Sequence, residues 1–246
     1  WFGYYVFAHD DYLITTALFD DDGDSNTGSI FIYRFSDENY IRKIQPNTQI
    51  SGARLGETIY AYGDYIFVNS PRLSNKGGGV YVFKFSDENY EMILENPDSS
   101  SSDYFGDVIQ ANDQYLIIST WGDDFDEYLD AGTVYIYQMS DFTLIETLRA
   151  ETPVTGALFG SSLAIYNNVL VIGARSNKVD SIQMGVVYFY DLSTSLFIQT
   201  IIAPDGDFND RFGESVIFNG TYLIVGAPND DDVAENAGTI YVFDLS

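Results

Sequence analysis

Carboxylates are the side chains through which this chain could do chemistry. It has 37 Asp and Glu against 11 Lys and Arg, a formal charge of −26 over 246 residues. Two sets place oxygen ligands at alternate positions: Asp20, Asp22 and Asp24, and Asp205, Asp207 and Asn209. Alternating side chains in a loop can converge on a hard cation, which takes roughly 6–8 oxygens. The spacing therefore points to Ca²⁺ as a cofactor. Neither set completes an EF-hand, because position six is Ser25 or Asp210 rather than Gly, and no Glu stands at position twelve. Denser acidic groups, Asp123, Asp124 and Asp126 near Trp121, and Asp230, Asp231 and Asp232, suggest a binding face instead. The plainer reading of all four groups is solvated loops that keep a large β protein soluble.

Other chemistries find less support. The only histidine is His9, so a Ser–His–Asp triad would rest on one residue beside a turn. Pairs of carboxylates serve glycoside hydrolysis, but among so many acids some pair always has suitable spacing. Trp1 and Trp121 could stack on a sugar, although packing is the commoner use of Trp. There is no cysteine, hence no disulfide framework or thiol chemistry. The negative field repels nucleic acid and anionic lipid and favours cations or basic partners. Arg54, Arg72, Arg175 and Arg211 are scattered and form no nucleic-acid stripe. No apolar run is long enough for a membrane-spanning helix. Asn219-Gly220-Thr221 is a glycosylation sequon, but a hairpin turn explains it equally well.

Internal repetition sets where these residues sit. Five segments open on Phe2-Gly3, Leu55-Gly56, Phe105-Gly106, Phe159-Gly160 and Phe212-Gly213. Each has a second glycine before an aromatic-rich run: Gly28, Gly78, Gly132, Gly185 and Gly238. A period of roughly 50 residues is in the range of propellers and arrays. The hexapeptide FSDENY occurs at Phe35–Tyr40 and again at Phe85–Tyr90, which marks internal duplication. Within a repeat the signals are β signals. Short Ile- and Val-rich runs after Asp10-Asp11, Gly63-Asp64, Asn112-Asp113, Asn167-Asn168 and Asn219-Gly220 predict second strands, each entered by a two-residue turn. IFIY, VYVF, VYIY, VYFY and IYVF predict third strands packed on both faces. Fourth strands are expected near 40–44, 90–94, 143–148 and 197–202. The fifth repeat has no fourth strand, so the expectation is nineteen strands. No stretch has convincing helical periodicity.

These residues resemble the FG-GAP repeat, whose family includes the propeller heads of integrin α subunits and many repeats of exported microbial and protist proteins. The fifth repeat carries all the marks: Phe212-Gly213, Gly226-Ala227-Pro228 and Gly-x-x-Tyr-x-Phe from Gly238. At the GAP position the others read Thr15–Ala17, Asn69–Pro71, Ser119–Trp121 and Gly173–Arg175. Integrin-type repeats carry a calcium loop between strands one and two. Here that connection is too short, so the resemblance brings no calcium site to it and points to the short-turn variety.

The resemblance implies an all-β fold, a β-propeller of four-stranded antiparallel blades. One domain is expected over residues 1–246, with repeats at about 1–50, 51–102, 103–156, 157–209 and 210–246. Because the fifth repeat is short and the chain starts at Trp1, a piece of a longer chain with flanking domains is expected. The implied role is non-catalytic: an extracellular or surface module whose acidic loops bind a protein or glycan, with Ca²⁺ assistance. A hydrolytic enzyme using the same loops and a purely structural spacer are the alternatives.

Overall fold

The computed structural model describes residues 1–22, 24–73, 77–98 and 104–246. The expected boundary at 102/103 lies outside the described residues. Among them there is no helix, only strands. The first sheet is an antiparallel meander of β1 (Phe2–His9), β2 (Tyr12–Ala17), β3 (Ser29–Arg34) and β4 (Tyr40–Ile44). The second repeats it with β5 (Ile59–Tyr62), β6 (Tyr65–Ser70), β7 (Gly79–Lys84) and β8 (Glu91–Glu95). The third is β9 (Ile109–Ala111), β10 (Tyr115–Thr120), β11 (Thr133–Gln138) and β12 (Leu144–Leu148). In the fourth, β13 (Phe159–Tyr166) and β14 (Val169–Ala174) are followed by a small ribbon, β15 (Lys178–Val179) with β16 (Ile182–Gln183). β17 (Val186–Asp191) and β18 (Leu196–Ile201) then complete that sheet. The fifth has three strands, β19 (Ser215–Phe218), β20 (Tyr222–Ala227) and β21 (Thr239–Asp244). Among the described residues the five sheets hold nineteen strands, the number expected, and the β15–β16 ribbon is an addition that two-residue strands could not signal. The chain divides into two compact units, Trp1–Ile109 and Gln110–Ser246.

Cross-strand pairing decides which side chains share a face. In the fourth sheet Val171 faces Phe189, and Gly173 faces Val187, so these form one side. Leu170 with Tyr190, and Ile172 with Tyr188, form the other. Both sides are buried, which is why strands here read as continuous apolar runs. The first side of each sheet is its forward face and the second its back face. In the first unit the forward face of the first sheet (Ile14, Ile30, Ile32) packs with the back of the second (Ile66, Val68, Tyr81, Phe83). In the second unit Val171, Val187 and Phe189 pack in the same way with Phe212, Val216, Leu223 and Val225.

A main-chain joint accompanies each stacking. The Phe212 N–H donates to the Met184 carbonyl at 2.8 Å, and Phe159 N–H to that of Ala131 at 2.9 Å. Leu55 N–H to Thr27 and Phe105 N–H to Gly77, each 2.9 Å, repeat the joint in the first unit. At three of these joints, those of Gly28, Gly132 and Gly185, the glycine before the third strand makes room for it. A Cβ on Gly185 would stand 2.1 Å from the Phe212 carbonyl oxygen, and one on Gly132 2.1 Å from that of Phe159. The Phe-Gly and the later Gly are therefore two halves of one contact between neighbouring sheets.

The duplicated FSDENY has a local task. Ser36 N–H donates to Asp11 Oδ1 and Ser86 N–H to Asp64 Oδ1, both at 2.9 Å, binding the third-to-fourth connection to the first hairpin turn.

Three expectations need correction. The turns after β9 and β19 have three residues, not two, because the Asn112 and Asn219 side chains close them by accepting backbone N–H groups. In the first repeat, Ala17 pairs with Ser29 as Ala227 does with Thr239, so the GAP position is Thr16-Ala17-Leu18, one residue later than the sequence alignment has it. The third strand of the fifth repeat is not packed on both faces: in β21 exposure alternates residue by residue.

Candidate functional site

The acidic loops follow second strands or lead into the next Phe-Gly. In four of the repeats the third residue after the second strand has one fixed duty. The N–H of Asp20, Asp123, Asn177 and Asp230 turns back to the carbonyl three residues earlier. The carbonyl of the same residue accepts from the following Gly28, Gly132, Gly185 or Gly238. Asp123 and Asp230 are thereby buried, and Asp20 half-buried. Asp22, Asp24, Asp124, Asp126, Asp231 and Asp232 stay exposed. The sequence presents these residues as equivalent carboxylates. Loop closure separates them into organisers and outward charges.

In the first unit, Asp20 and Asp22 are joined by a lysine. Lys43 Nζ stands 2.8 Å from Asp20 Oδ2 and also bonds Asp22. Burial opposes ionisation of Asp20, but Lys43 and the Asp22 N–H outweigh it and hold its carboxyl below the ordinary range. Asp24 offers its backbone N–H to Gln49 Oε1 at 2.8 Å. The alternate spacing thus gathers Asp20 and Asp22 around an ammonium that the sequence reading did not anticipate.

In the second unit, two acidic loops meet at Tyr241 of β21. Its hydroxyl lies 2.8 Å from Asp205 Oδ1 and 2.7 Å from Asp230 Oδ2. One proton serves two carboxylates, and burial together with these acceptors pushes the phenol far above its usual range. Burial would raise Asp230, but hydrogen bonds from Tyr241, Thr239 and the Asp232 N–H hold it low. Asp210 is raised, first by burial and then by Asp230, Asp231 and Asp207, with the Asp207 N–H offsetting part. Asp232 is raised chiefly by repulsion from Asp230. Asp207 Oδ1 accepts from the Phe208 N–H at 2.7 Å, and Asn209 N–H donates to the Gln183 carbonyl at 2.6 Å. The structure thus unites Asp205 with Asp230 and Asp232, which the sequence reading had assigned to separate sets. Tyr241 and Asp210 complete the group. Their signal was present, an aromatic at the third position of a third strand and an acid two residues before Phe212, but it needed the register to be read.

Among the described residues, no group of three or more acidic or histidine side chains is placed to hold a metal ion. Oxygens of Asp20 and Asp22 already have Lys43 as a partner, and oxygens of Asp205 and Asp207 have the Tyr241 hydroxyl and the Phe208 N–H.

Asp124 Oδ1 accepts from the Asp130 N–H at 2.6 Å, and Asp126 is exposed at positive φ. Trp121 does not face solvent alone: the Arg175 guanidinium lies over its ring at 5.3 Å, and Arg175 pairs with Glu214 at 2.6 Å. Trp1 packs edge-on against Phe19 at 5.3 Å. His9 Nε2 contacts the Gly63 carbonyl at 2.9 Å, and its ring stacks on Phe85. It is half-buried rather than exposed.

No curated protein matches the chain. Residues 90–137 and 196–243 match the family model of the FG-GAP repeat. The second match contains the joint at Phe212-Gly213, the acidic loops around Tyr241 and β21 itself. The chain carries FG-GAP repeats over these two stretches, built as successive antiparallel strands with the Phe-Gly at the joint between sheets.

Proposed function

We propose that this chain is a non-catalytic, propeller-type surface module that presents outward carboxylates to a basic protein segment or a glycan. FG-GAP repeats are typically extracellular, adhesion-type modules and generally non-catalytic. The observation that carries the reading is the meeting of two acidic loops at Tyr241. Asp230 and Asp205 share its hydroxyl, while Asp207, Asp231 and Asp232 remain exposed around it. Carboxylates crowded enough to raise Asp232 gain from any cation that approaches, and a charged rim of this kind acts mainly on encounter rate and partner choice. Hydrolysis is the weaker reading. Asp210, the buried carboxyl held high, already accepts the Asp207 N–H and is occupied within its own loop.

Calcium belongs to this proposal as a ligand at the set Asp205, Asp207 and Asn209 and the set Asp20, Asp22 and Asp24, where it competes with Tyr241 at Asp205, the Phe208 N–H at Asp207 and Lys43 at Asp20 and Asp22. The test is binding to an array of basic peptides and glycans, in chelator and in millimolar Ca²⁺, with Mg²⁺ at matched ionic strength. The triple variant Asp207→Asn, Asp231→Asn, Asp232→Asn keeps the shape and removes the charge. A ligand lost at least tenfold by that variant, with a steep salt dependence, is the expected result. Unchanged binding would move the ligand site away from Tyr241. A Ca²⁺-selective rise in melting temperature would make the ion a partner. Equal shifts with Mg²⁺ would reduce it to screening.

A further inference from the structure

Every described Phe-Gly joint but one is closed. Leu55, Phe105, Phe159 and Phe212 are fully buried at their joints, whereas Phe2 is 61% exposed. The corner that carries Phe2 is nevertheless built like the others. Phe2 pairs with Ala17 as Phe159 pairs with Ala174, and in both sheets the register shifts three to four residues later. Gly3 has φ +82°, beside +94° for Gly160 and +90° for Gly213. The Phe2 ring packs edge-on over Phe31 and Tyr33 at 5.0 and 6.5 Å, as Phe212 does over Tyr241 and Phe243 at 5.4 and 6.0 Å. What differs is the far side. A Cβ on Gly160 would meet Ser119 at 2.9 Å, and one on Gly213 would meet Gly173 at 3.4 Å, but a Cβ on Gly3 meets nothing within 4 Å.

The fifth sheet shows the opposite half. Its forward face carries Ile217, Ile224, Ile240 and Val242, the register equivalents of Val171, Val187 and Phe189 with a first-strand residue added. Those equivalents are buried in the fourth sheet, yet Ile240 is 72% exposed and Val242 63%. Beside them lies an open recess of about 410 Å³, lined by Gly226, Ala227, Pro228, Ala237, Gly238 and Ile240 among others. These are the positions that receive Phe212-Gly213 on the fourth sheet: Gly226 corresponds to Gly173, Gly238 to Gly185, and Ala237 to Met184, whose carbonyl takes the Phe212 N–H.

We infer that the forward face of the fifth sheet is a self-association surface, whose recess receives the Phe2-Gly3 corner of a second copy of this chain. The occupant follows from the contact the molecule already makes between its own sheets. It takes a Phe-Gly corner backed by aromatic third-strand residues, and the first sheet presents that corner preformed and uncovered. The two surfaces differ, so the association is head-to-tail, and further copies add until the series closes or stops. The charge of −26 on each copy opposes it, so the association strengthens with salt.

The test is sedimentation equilibrium of the full chain over a concentration series reaching about 1 mM, a weak-association limit of about 4 kcal/mol, at low and high NaCl. The expected result is a weight-average mass that rises with concentration from 27.6 kDa to at least twice that value. Ile240→Lys and Phe2→Ser both change exposed side chains, and thermal melts check that each variant is folded. Each alone is expected to remain monomeric. Mixed in equal amounts they form dimers and nothing larger, because the intact Phe2 of one fits the intact recess of the other. A wild-type chain that stays at 27.6 kDa throughout overturns the inference. So does a Phe2→Ser variant that still associates, which would mean recess-to-recess pairing, or a mixture that stays monomeric.

Discussion

Tyr241 holds a single hydroxyl proton between Asp205 and Asp230, and nearby Asp210 is raised, first by its burial and then by the charges of Asp230, Asp231 and Asp207. The consequence for stability has a definite sign. A carboxyl whose folded pKa lies above its unfolded value of about 3.8 binds protons more readily when folded. Its favourable contribution is present below the unfolded value and disappears as pH rises through the folded one. At neutral pH Asp210 is therefore a net burden. Asp210→Asn keeps an oxygen for the Asp207 N–H and removes the charge, so it is expected to raise the melting temperature at pH 7. The gain should fade as pH is lowered below the unfolded value of about 3.8, where the wild-type group is protonated. Melts at the two pH values check this, and an equal gain at both would point to packing instead of charge. The alternate spacing of Asp205 and Asp207 was legible in the sequence. Their partners were not, because Tyr241 and Asp230 arrive from other stretches of chain through strand register.

Glycines at the joints give the strands their order. At Gly185 and Gly3 the backbone is left-handed, with φ +95° and +82°. Alanine costs about 1–2 kcal/mol there from conformation alone. At Gly185 the new methyl must also displace the Phe212 carbonyl, while at Gly3 it enters open space. Gly185→Ala should therefore destabilise by more than about 3 kcal/mol and Gly3→Ala by about 1–2 kcal/mol. Thermal unfolding separates the two, and similar losses would deny the joint its steric role. The repeat glycines were visible in the sequence, as were the strands, because valine, isoleucine and tyrosine recur at fixed distances from them. What escaped was local. The slip at Thr16-Ala17-Leu18 arose because threonine and alanine give no sign of which position follows the strand. The three-residue turns depend on Asn112 and Asn219 side chains whose composition also fits tighter turns. The open face of β21 could not be read from IYVF, which differs little from the buried VYFY of β17.

Two compact units, Trp1–Ile109 and Gln110–Ser246, share one heavily negative charge. Self-repulsion at −26 weakens both, and salt that shortens the screening distance from about 30 Å at 0.01 M to about 8 Å at 0.15 M should raise resistance to urea. The chain has two tryptophans, and each unit owns one. Trp1 is 77% exposed against Phe19, and Trp121 lies beneath the Arg175 guanidinium. That pairing, described above as packing, makes the protein its own optical instrument. Trp1 emits at long wavelength and is open to a dissolved quencher such as acrylamide. Trp121 emits under the shield of a cation and is quenched less. With Trp1→Phe, light excited at the red edge of the spectrum, where tyrosine does not absorb, comes from the second unit alone, and its urea transition can be compared with the loss of far-ultraviolet circular dichroism from all the strands. Coincident curves mean that both units melt as one cooperative body; an emission change displaced from the dichroism change means that each keeps its own stability, and the fluorescence shows which gives way first.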